Sequence, residues 1–487
     1  MKIQHSTFNA GRPTPNGGDG GRAYSFDVEC SLLNVRCSPK SENGSVLIIV
    51  LWVAIGLVSI ALYFANTMAY ELRASDNRVS GLAADEAIEG AARYVSYVLQ
   101  NYATNGAVPA TNQFVCAAVP VGDAKFWLIG RDTTGPAATG QSSTEPTFGL
   151  VDEGGKLNLN NVNTNVLSYL PDMPIDFADA VMDWRGTNGS VSLNYAALGY
   201  LPKNAPLETV DELRLVYGAT VDLLAGDDLN RNGVLDANEK DTTGTGELNS
   251  GLFEYTTVYT REPNFHSDGT ALTNMNTATE TQLRAFFQTE GVGNANTMAT
   301  DIYRYVHNAP GRVNNFNGVL DLALRCRNFG MSTVDFAKIY NDITTSTNNY
   351  FRGRVNVNTA GYDVLTALFE GLNVGEQTAS GAAQTLITYR GQNPDNLNSI
   401  GWLIDALGNN SPVITALARG DYVTTKSFQF TADIAAVGPF GRGYRRVKFI
   451  FDLSDGTPKI LYRQDLSRLG WALGDKTRES LVAKETQ

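Results

Sequence analysis

The hydrophobic pattern is dominated by one apolar run near the N-terminal end of the chain. No charged residue occurs from Ser45 to Ala65, and a helix of about 21 residues spans the ~30 Å hydrocarbon core of a bilayer. Beyond the run, apolar residues return at helical spacing, and proline is absent between Pro39 and Pro109. These positions are Leu72, Val79, Ala83, Ala87, Ala91, Val95 and Val98. The pattern predicts one long helix whose first part, 45–65, crosses a membrane and whose second part packs on a soluble domain.

Alternating residues typical of strands occur on both sides of a long, mainly helical stretch. The preceding segments are KFWLIGR from Lys125 and TFGLVDE from Thr147, and the following ones are SFQFTADIAAVG from Ser427, YRRVKFIFDL from Tyr444 and KILYRQDL from Lys459. We therefore predict an α+β fold, in which the long helix packs on an antiparallel sheet. A large, mainly α-helical domain, residues 159–421, is inserted between sheet strands.

The predicted insertion contains an internal repeat. KLNLNNVNTNVLSYL from Lys156 aligns without a gap with RVNVNTAGYDVLTAL from Arg354, and both segments later reach an aromatic-Arg-Gly triplet, at Trp184 and at Tyr389. Each copy predicts a short strand, an asparagine-capped helix, a turn and a second helix. The second copy resembles a helix-hairpin-helix unit.

Helix-hairpin-helix units often bind DNA, so a membrane-tethered DNA-binding protein is an alternative function. The hairpin GLNVGEQTASGAAQ carries Glu376 and contains no lysine or arginine before Arg390. The whole chain has a net charge of −12, whereas binding to phosphates requires clustered cations. We therefore expect no nucleic-acid partner, and we favour a packing module used as a protein-interaction surface.

A calcium-binding pattern lies between the two copies. From Asp228 the chain reads D-x-N-x-N-G-x-x-D-x-x-E, the spacing of a twelve-residue EF-hand loop. The predicted oxygen ligands are the side chains of Asp228, Asn230 and Asn232, the carbonyl of Val234, and the side chains of Asp236 and Glu239. VDELRLVYG before the loop is predicted to be helical, whereas the glycine- and threonine-rich TTGTGELNSG after it is not. We expect one structural Ca²⁺ loop, with a metal-free turn as the alternative.

The remaining composition argues against an enzyme. The chain has three histidines and four cysteines and contains neither HExxH nor CxxC, which makes zinc chemistry improbable. It also lacks GxSxG and P-loop motifs. Beyond the apolar run only Cys116 and Cys326 remain, and the sequence leaves open whether they pair or stay as thiols.

The boundary before the apolar run resembles a prepilin processing site. Gly44 directly precedes the run, and prepilin peptidase cleaves after such a glycine on the cytoplasmic side, so the processed protein would begin at Ser45 and keep its anchor. The alternative is an ordinary signal anchor, in which Gly44 has no role. Major pilins have a glutamate at the fifth mature position, which here is Ile49. A carboxylate is retained in lipid where it has a partner. Because this chain has Ile49 in place of that glutamate, we expect it to lie at an end of the filament and not to be a repeating filament subunit.

Together, several segments resemble the K-type minor pseudopilins (general secretion pathway protein K) of the bacterial type II secretion system. They cover most of residues 44–465. The segments are Gly44 with SVLIIVLWVAIGLVSIALYF, GKLNLNN followed by AVMDWRG, YLPKNAPLETVDELRLVYG, the calcium stretch, FEYTTVYTREPN and GRVNVNTAGYDVL.

This resemblance implies a pilin-like fold with a large inserted α-domain, calcium binding and no catalysis. It implies an inner-membrane, single-pass protein with its C-terminal bulk in the periplasm. The implied partners are the I-type and J-type minor pseudopilins, prepilin peptidase, the major pseudopilin and the inner-membrane secretion platform. The implied role is at the pseudopilus tip, in pseudopilus assembly and in the export of folded proteins across the outer membrane.

The predicted domain organisation follows from these elements. Residues 1–44 form the leader and 45–65 the transmembrane half of the helix. Residues 66–158 form the first part of the pilin-like domain, 159–421 the inserted α-domain with the calcium loop, and 422–487 the C-terminal strands and tail.

Overall fold

The computed structural model describes residues 45–132, 145–187, 195–307 and 314–483. The chain divides into two compact units, Met1–Tyr70 and Glu71–Gln487. The predicted leader, residues 1–44, lies outside the described residues.

The described residues form one very long helix, many shorter helices and a set of mostly short strands. The helices are α1 Ser45–Tyr102, α2 Thr164–Ser168, α3 Ile175–Arg185, α4 Val221–Ala225, α5 Leu252–Tyr255, α6 Glu280–Thr289, α7 Ala295–Val306, α8 Val319–Asn328, α9 Thr333–Ile339, α10 Tyr362–Gly371, α11 Glu376–Gln392, α12 Trp402–Leu407, α13 Pro412–Leu417 and α14 Gly474–Ala483. The strands are β1 Val119–Val121, β2 Ala124–Ile129, β3 Val151–Asp152, β4 Leu157–Asn158, β5 Thr256–Thr257, β6 Arg261–Pro263, β7 Thr273–Asn274, β8 Ile343–Thr344, β9 Tyr350–Arg352, β10 Val355–Asn356, β11 Val423–Thr424, β12 Gln429–Val437, β13 Arg445–Asp452 and β14 Lys459–Asp465.

The apolar run forms the beginning of α1, and the long continuous helix that the periodicity predicts is confirmed over 58 residues. Among the described residues, this is the one helix long and apolar enough to cross a membrane. The large apolar side chains of its first part, including Trp52 and Phe64, are exposed in the first compact unit. Such a surface requires a non-aqueous environment or a partner, because exposed apolar area is costly in water.

The second part of α1 packs on the sheet in the second compact unit. Buried residues recur at helical spacing, among them Ala84, Ala87, Ala91 and Val95. Packing begins at Ser80, later than the apolar spacing suggested, because Leu72 and Val79 are 66% and 59% exposed. The small alanines let the helix approach the sheet closely.

The sheet is antiparallel, with the order β1-β2-β12-β13-β14, and β3 pairs with β12 beside β2. Its side chains alternate between two covered faces. Leu128 and Phe430 lie on the face that packs on α1, whereas Trp127 and Ala435 lie on the opposite face with Leu473 from the C-terminal segment. The predicted antiparallel sheet is therefore confirmed.

The mainly helical part leaves the sheet after β3 and returns into β12. These two strands are neighbours, with Asp152 opposite Phe430 and Val151 opposite Thr431. The entry point is fixed by Glu153, whose carboxylate accepts hydrogen bonds from Thr257 and from Thr431 (2.6 Å). Because the two ends of the insertion lie on paired strands, the insertion interrupts the sequence of the sheet but leaves the strand pairing intact.

The inserted part contains three related repeats among the described residues, whereas the sequence pattern indicated two. Repeat one spans residues 157–257, repeat two 273–344 and repeat three 355–424. Each repeat closes on a short parallel strand pair: β4 with β5, β7 with β8, and β10 with β11. Helix pairs α2–α3, α6–α7 and α10–α11 follow the first strand of each repeat.

The repeats share an Asn-x-Asn motif that links distant backbone segments. The first asparagine accepts a hydrogen bond of 2.9 Å from the backbone N–H two residues later. The second donates its amide to a carbonyl at the start of the second half of the repeat, at 2.9–3.1 Å. The paired asparagines are Asn158 and Asn160, Asn274 and Asn276, and Asn356 and Asn358.

Candidate functional site

The predicted calcium loop, residues 228–239, is a tight turn closed by its own side chains. The Asp228 carboxylate accepts hydrogen bonds from the backbone N–H groups of Asn232 (2.9 Å) and Gly233 (2.8 Å). Gly233 has a φ of +83°, a left-handed conformation that glycine adopts without steric cost. The first half of the loop therefore folds around Asp228.

The second half of the loop folds back onto the first. The side-chain amides of Asn230 and Asn232 both donate to Asp236 Oδ2. Glu239 accepts from the backbone N–H groups of Asn230 and Asp236, each at 3.1 Å. The Val234 N–H donates to Asn232 Oδ1 at 3.0 Å. The structure thus brings all the predicted ligand residues into one hydrogen-bonded turn.

A buried arginine connects the loop to the sheet. Arg446 on β13 is 0% exposed and pairs with Asp433 on β12 through N–O distances of 2.9 and 2.6 Å. The same guanidinium donates to the backbone carbonyls of Asn230 and of Arg231, the latter at 2.7 Å. Nearby Asp433 raises the pKa of Arg446, although burial alone lowers it. The loop is therefore held by a charged group that remains ionised.

A second arginine and the C-terminal segment hold the same turn. Arg131 donates to the Arg231 carbonyl at 3.0 Å and pairs with Glu254 at 2.8 Å. The Asn230 amide also donates to the backbone carbonyl of Trp471 at 3.1 Å. The loop therefore joins three distant parts of the chain.

Burial changes the titration of two carboxylates in the loop. Burial raises the pKa of Asp228, although Arg131 and the Gly233 N–H group oppose this shift. Burial also raises the pKa of Glu239, and the neighbouring Asp228 and Asp236 carboxylates raise it further. A bound cation would favour the ionised form of these carboxylates.

Carboxylates alone do not form a metal site here. Within the described parts of the chain, no group of three or more His, Cys, Asp or Glu side chains is placed to hold a metal ion. A cation in this loop would therefore need the amide oxygens of Asn230 and Asn232 and the carbonyl of Val234 as well. EF-hand loops use this mixed oxygen set.

The flanks of the loop differ from a paired EF-hand. The predicted helix in VDELRLVYG is a short 3₁₀ helix, Val210–Leu215, and the five-residue α4 precedes the loop instead. After the loop, residues 240–249 form bends and irregular backbone with no helix, as predicted. The loop therefore lacks the two flanking helices of an EF-hand.

The turns of the helical hairpins contain acidic side chains. The turns carry carboxylates at Asp172 between α2 and α3, at Glu290 between α6 and α7, and at Glu376 in the first turn of α11. A carboxylate at a helix N-terminus occupies the position that favours an anion. Glu376 therefore occupies the position at the start of α11 where an anion would otherwise be favoured.

The arginines of the aromatic-Arg-Gly triplets have structural partners. Arg185 donates to the carbonyls of Leu159 (2.5 Å) and Val162 (3.0 Å), and the buried Arg390 donates to the matching carbonyls of repeat three at 2.7 and 3.2 Å. In its own repeat, each arginine therefore connects the second helix of the hairpin to the loop that follows the first strand.

The two remaining cysteines are free thiols. Cys326 is buried in α8, and Cys116 is partly buried beside the sheet. The predicted processing site lies at the edge of the described residues, because Gly44 is outside them.

The sequence analysis did not identify the two arginines that hold the predicted calcium loop. It also did not identify the second repeat. Arg131 and Arg446 lie far from the loop in sequence, so no local pattern could identify them. The one sequence signal of repeat two is the short segment TNMNT from Thr273, which has the Asn-x-Asn spacing of the other copies.

The chain resembles one component of a known secretion complex in structure, at low similarity. No protein-family model matches the chain, and no curated protein matches it. A chain in the crystal structure of the GspK-GspI-GspJ complex from the type 2 secretion system of enterotoxigenic Escherichia coli is 12% identical, over 42% of this chain and 78% of that chain, with a TM-score of 0.18. A score this low gives the superposition no weight for function.

Proposed function

We propose that this chain is a K-type minor pseudopilin of a type II secretion system, with a structural role and no catalysis. The observation that carries the proposal is α1, in which one continuous helix has an apolar, exposed first part and a second part packed on an antiparallel sheet. The family-like segments of the sequence support it, and so does the large helical insertion between adjacent strands. The proposed site of action is the pseudopilus tip.

The proposed location is the inner membrane, crossed once by residues 45–65, with the bulk of the chain in the periplasm. The proposed partners are the I-type and J-type minor pseudopilins at the tip, then the major pseudopilin and the secretion platform. Prepilin peptidase would cleave between Gly44 and Ser45. Position 49 is isoleucine and not glutamate, so the chain offers no carboxylate at that depth to a neighbouring subunit. This supports a position at the end of the filament.

We further propose that residues 228–239 bind one Ca²⁺. Asp228, Asn230, Asn232, Val234, Asp236 and Glu239 would hold it. The ion would supply positive charge to three carboxylates, and its binding energy would stabilise the fold of a long irregular connection. Arg446 and Arg131 would keep the loop in place, because they hold its backbone independently of the metal-binding side chains.

DNA binding by the helical hairpins remains the alternative function, and no contact among the described residues favours it. Acidic turns and the internal roles of Arg185 and Arg390 oppose it. A filter-binding assay at low salt distinguishes the two functions, since only the DNA-binding alternative predicts retained DNA.

A gene deletion tests the proposed function in the organism that carries the chain. We expect the deletion strain to keep exported proteins in its periplasm, and the intact gene to restore their release. We also expect the detergent-extracted protein to co-purify with the I-type and J-type subunits. Normal release by the deletion strain would contradict the proposal.

A further inference from the structure

The side-chain amide of Asn230 is held in one orientation. Its Oδ1 atom accepts a hydrogen bond from the backbone N–H of Asn232 at 3.0 Å, within the loop. Its Nδ2 atom donates to the backbone carbonyl of Trp471 at 3.1 Å, outside the loop, and to Asp236. A backbone N–H can only donate and a backbone carbonyl can only accept, so these partners identify the two ends of the amide. The oxygen therefore faces the loop, and the nitrogen faces the C-terminal part of the chain.

Trp471 belongs to the C-terminal segment, residues 470–483, which covers one face of the sheet. Ala472 and Leu473 are 0% exposed and pack against that face. The Trp471 ring lies 5.0 Å from the ring of Tyr444, measured between centroids. α14 follows and is largely exposed. The contact with Asn230 therefore lies where the chain passes from a buried stretch to an exposed helix.

The chain that leads to this segment starts on the strand that holds the calcium loop. The Leu466 N–H donates to the Arg446 carbonyl at 2.8 Å, and Ser467 Oγ accepts from the Arg446 N–H at 3.0 Å. The guanidinium of the same arginine donates to the Asn230 carbonyl. Asn230 is thus connected to the C-terminal part twice, through Arg446 and directly through Trp471. The position of the loop and the position of the segment consequently depend on each other.

The contact with Trp471 requires an asparagine at position 230, whereas calcium binding alone does not. The third position of an EF-hand loop contributes a side-chain oxygen, which aspartate and asparagine both provide. Only asparagine also has N–H donors, because an ionised carboxylate can only accept. Asn232 is an asparagine too, but its amide donates to Asp236 inside the loop. Of the two asparagines, Asn230 is therefore the one whose amide reaches outside the loop.

We propose that Asn230 couples calcium binding to the attachment of the C-terminal segment. This inference rests on the proposed Ca²⁺ site. Asn230 Oδ1 would be a ligand of the ion, which would fix the amide with its nitrogen toward the Trp471 carbonyl. Calcium would therefore strengthen the attachment of the segment. The attached segment would raise the affinity for calcium by the same factor, because coupling between two binding events is reciprocal.

The expected size of the coupling is that of one hydrogen bond. Three carboxylates, those of Asp228, Asp236 and Glu239, lie in one turn and repel one another without a cation. We expect the metal-free loop to fluctuate more, so the bond to Trp471 breaks more often. One neutral hydrogen bond changes such an equilibrium by about 2- to 10-fold. The buried Ala472 and Leu473 keep the segment on the sheet, so we expect loosening and not full release.

Hydrogen–deuterium exchange of the full-length protein in detergent tests the proposal. We expect peptides from residues 470–483 to exchange about 2- to 10-fold more slowly in calcium than in chelator. Calorimetry measures calcium binding separately. If the protein bound calcium and the exchange of these peptides did not change, the coupling would be overturned and the calcium site would remain. If the protein bound no calcium, both would be overturned.

Two variants with the same chemical change separate the coupling from general stabilisation. Asn230→Asp and Asn232→Asp each keep an oxygen ligand and each place a new carboxylate beside Asp236. Only Asn230→Asp removes the donor to Trp471. We expect both variants to bind calcium, and only Asn232→Asp to keep the slower exchange of residues 470–483 in calcium. Full calcium-dependent protection in Asn230→Asp would overturn the proposal, and the unchanged protein decides the question if that variant does not fold.

Discussion

At the scale of single residues, the described protein stabilises its buried charges through specific pairs. The pair of Arg446 with Asp433 is buried and that of Arg131 with Glu254 is partly buried, and both arginines also hold the loop 228–239. Removing one partner of a buried pair is costly, because the other charge stays buried without compensation. The loop therefore depends on residues outside its own pattern.

The calcium proposal makes a prediction at this scale. Asp228→Asn with Glu239→Gln should abolish stabilisation by calcium, because both changes remove ligand charge while preserving side-chain size. For the unchanged protein, calcium at about 100 times Kd should raise the free energy of unfolding by about 2.7 kcal/mol. Thermal unfolding with calcium and with a chelator measures both effects.

The matched control is Asp222→Asn, because Asp222 is an exposed carboxylate just before the loop. This variant should keep the full calcium effect. If the double variant lost the same stability in chelator as in calcium, the loop would not be a calcium site.

Some residues of the candidate site were predictable from the sequence and others were not. The ligand positions follow from oxygen-bearing side chains at fixed spacing and from one glycine, Gly233, so a local pattern identifies them. Arg446 and Trp471 reach the loop across more than 200 residues, and only tertiary packing brings them there.

At the scale of helices and strands, periodicity predicted the elements that bury one continuous face. α1 and the strands β2, β12 and β13 have regular apolar spacing, and the structure confirms them. β14 is also confirmed as a strand, although most of its side chains are exposed. Repeat two is hard to detect because its second helix carries Tyr303-Arg304-Tyr305 and lacks the Arg-Gly ending of the other two copies. Its Asn-x-Asn motif is too short to be recognised alone.

The Asn-x-Asn motif of repeat two leads to a stability prediction. Asn276 donates to the carbonyls of Phe316 (3.1 Å) and Thr345 (2.8 Å) and accepts from the Phe316 N–H (2.8 Å). Asn276→Ala leaves these groups unpaired, so we expect a loss of about 1–3 kcal/mol in chemical denaturation. Asn398→Ala, which removes one exposed side-chain hydrogen bond, should cost less than about 0.5 kcal/mol. Equal losses would show that the motif does not stabilise the repeat.

At the scale of the whole molecule, the proposed role depends on two features of the chain. The first part of α1 is long and apolar enough to cross a membrane. The insertion provides a large helical surface without disturbing the sheet, because its ends lie on the neighbouring strands β3 and β12. Neither feature requires catalysis, and both suit a subunit that acts by binding other subunits.

The most direct test of the proposed role is the N-terminal sequence of the protein extracted from membranes of cells that contain prepilin peptidase. We predict that the chain begins at Ser45 and remains in the membrane fraction, and that replacing Gly44 with a bulky residue leaves residues 1–44 attached. A native chain that begins at Met1, or beyond Ala65, would contradict the proposed role.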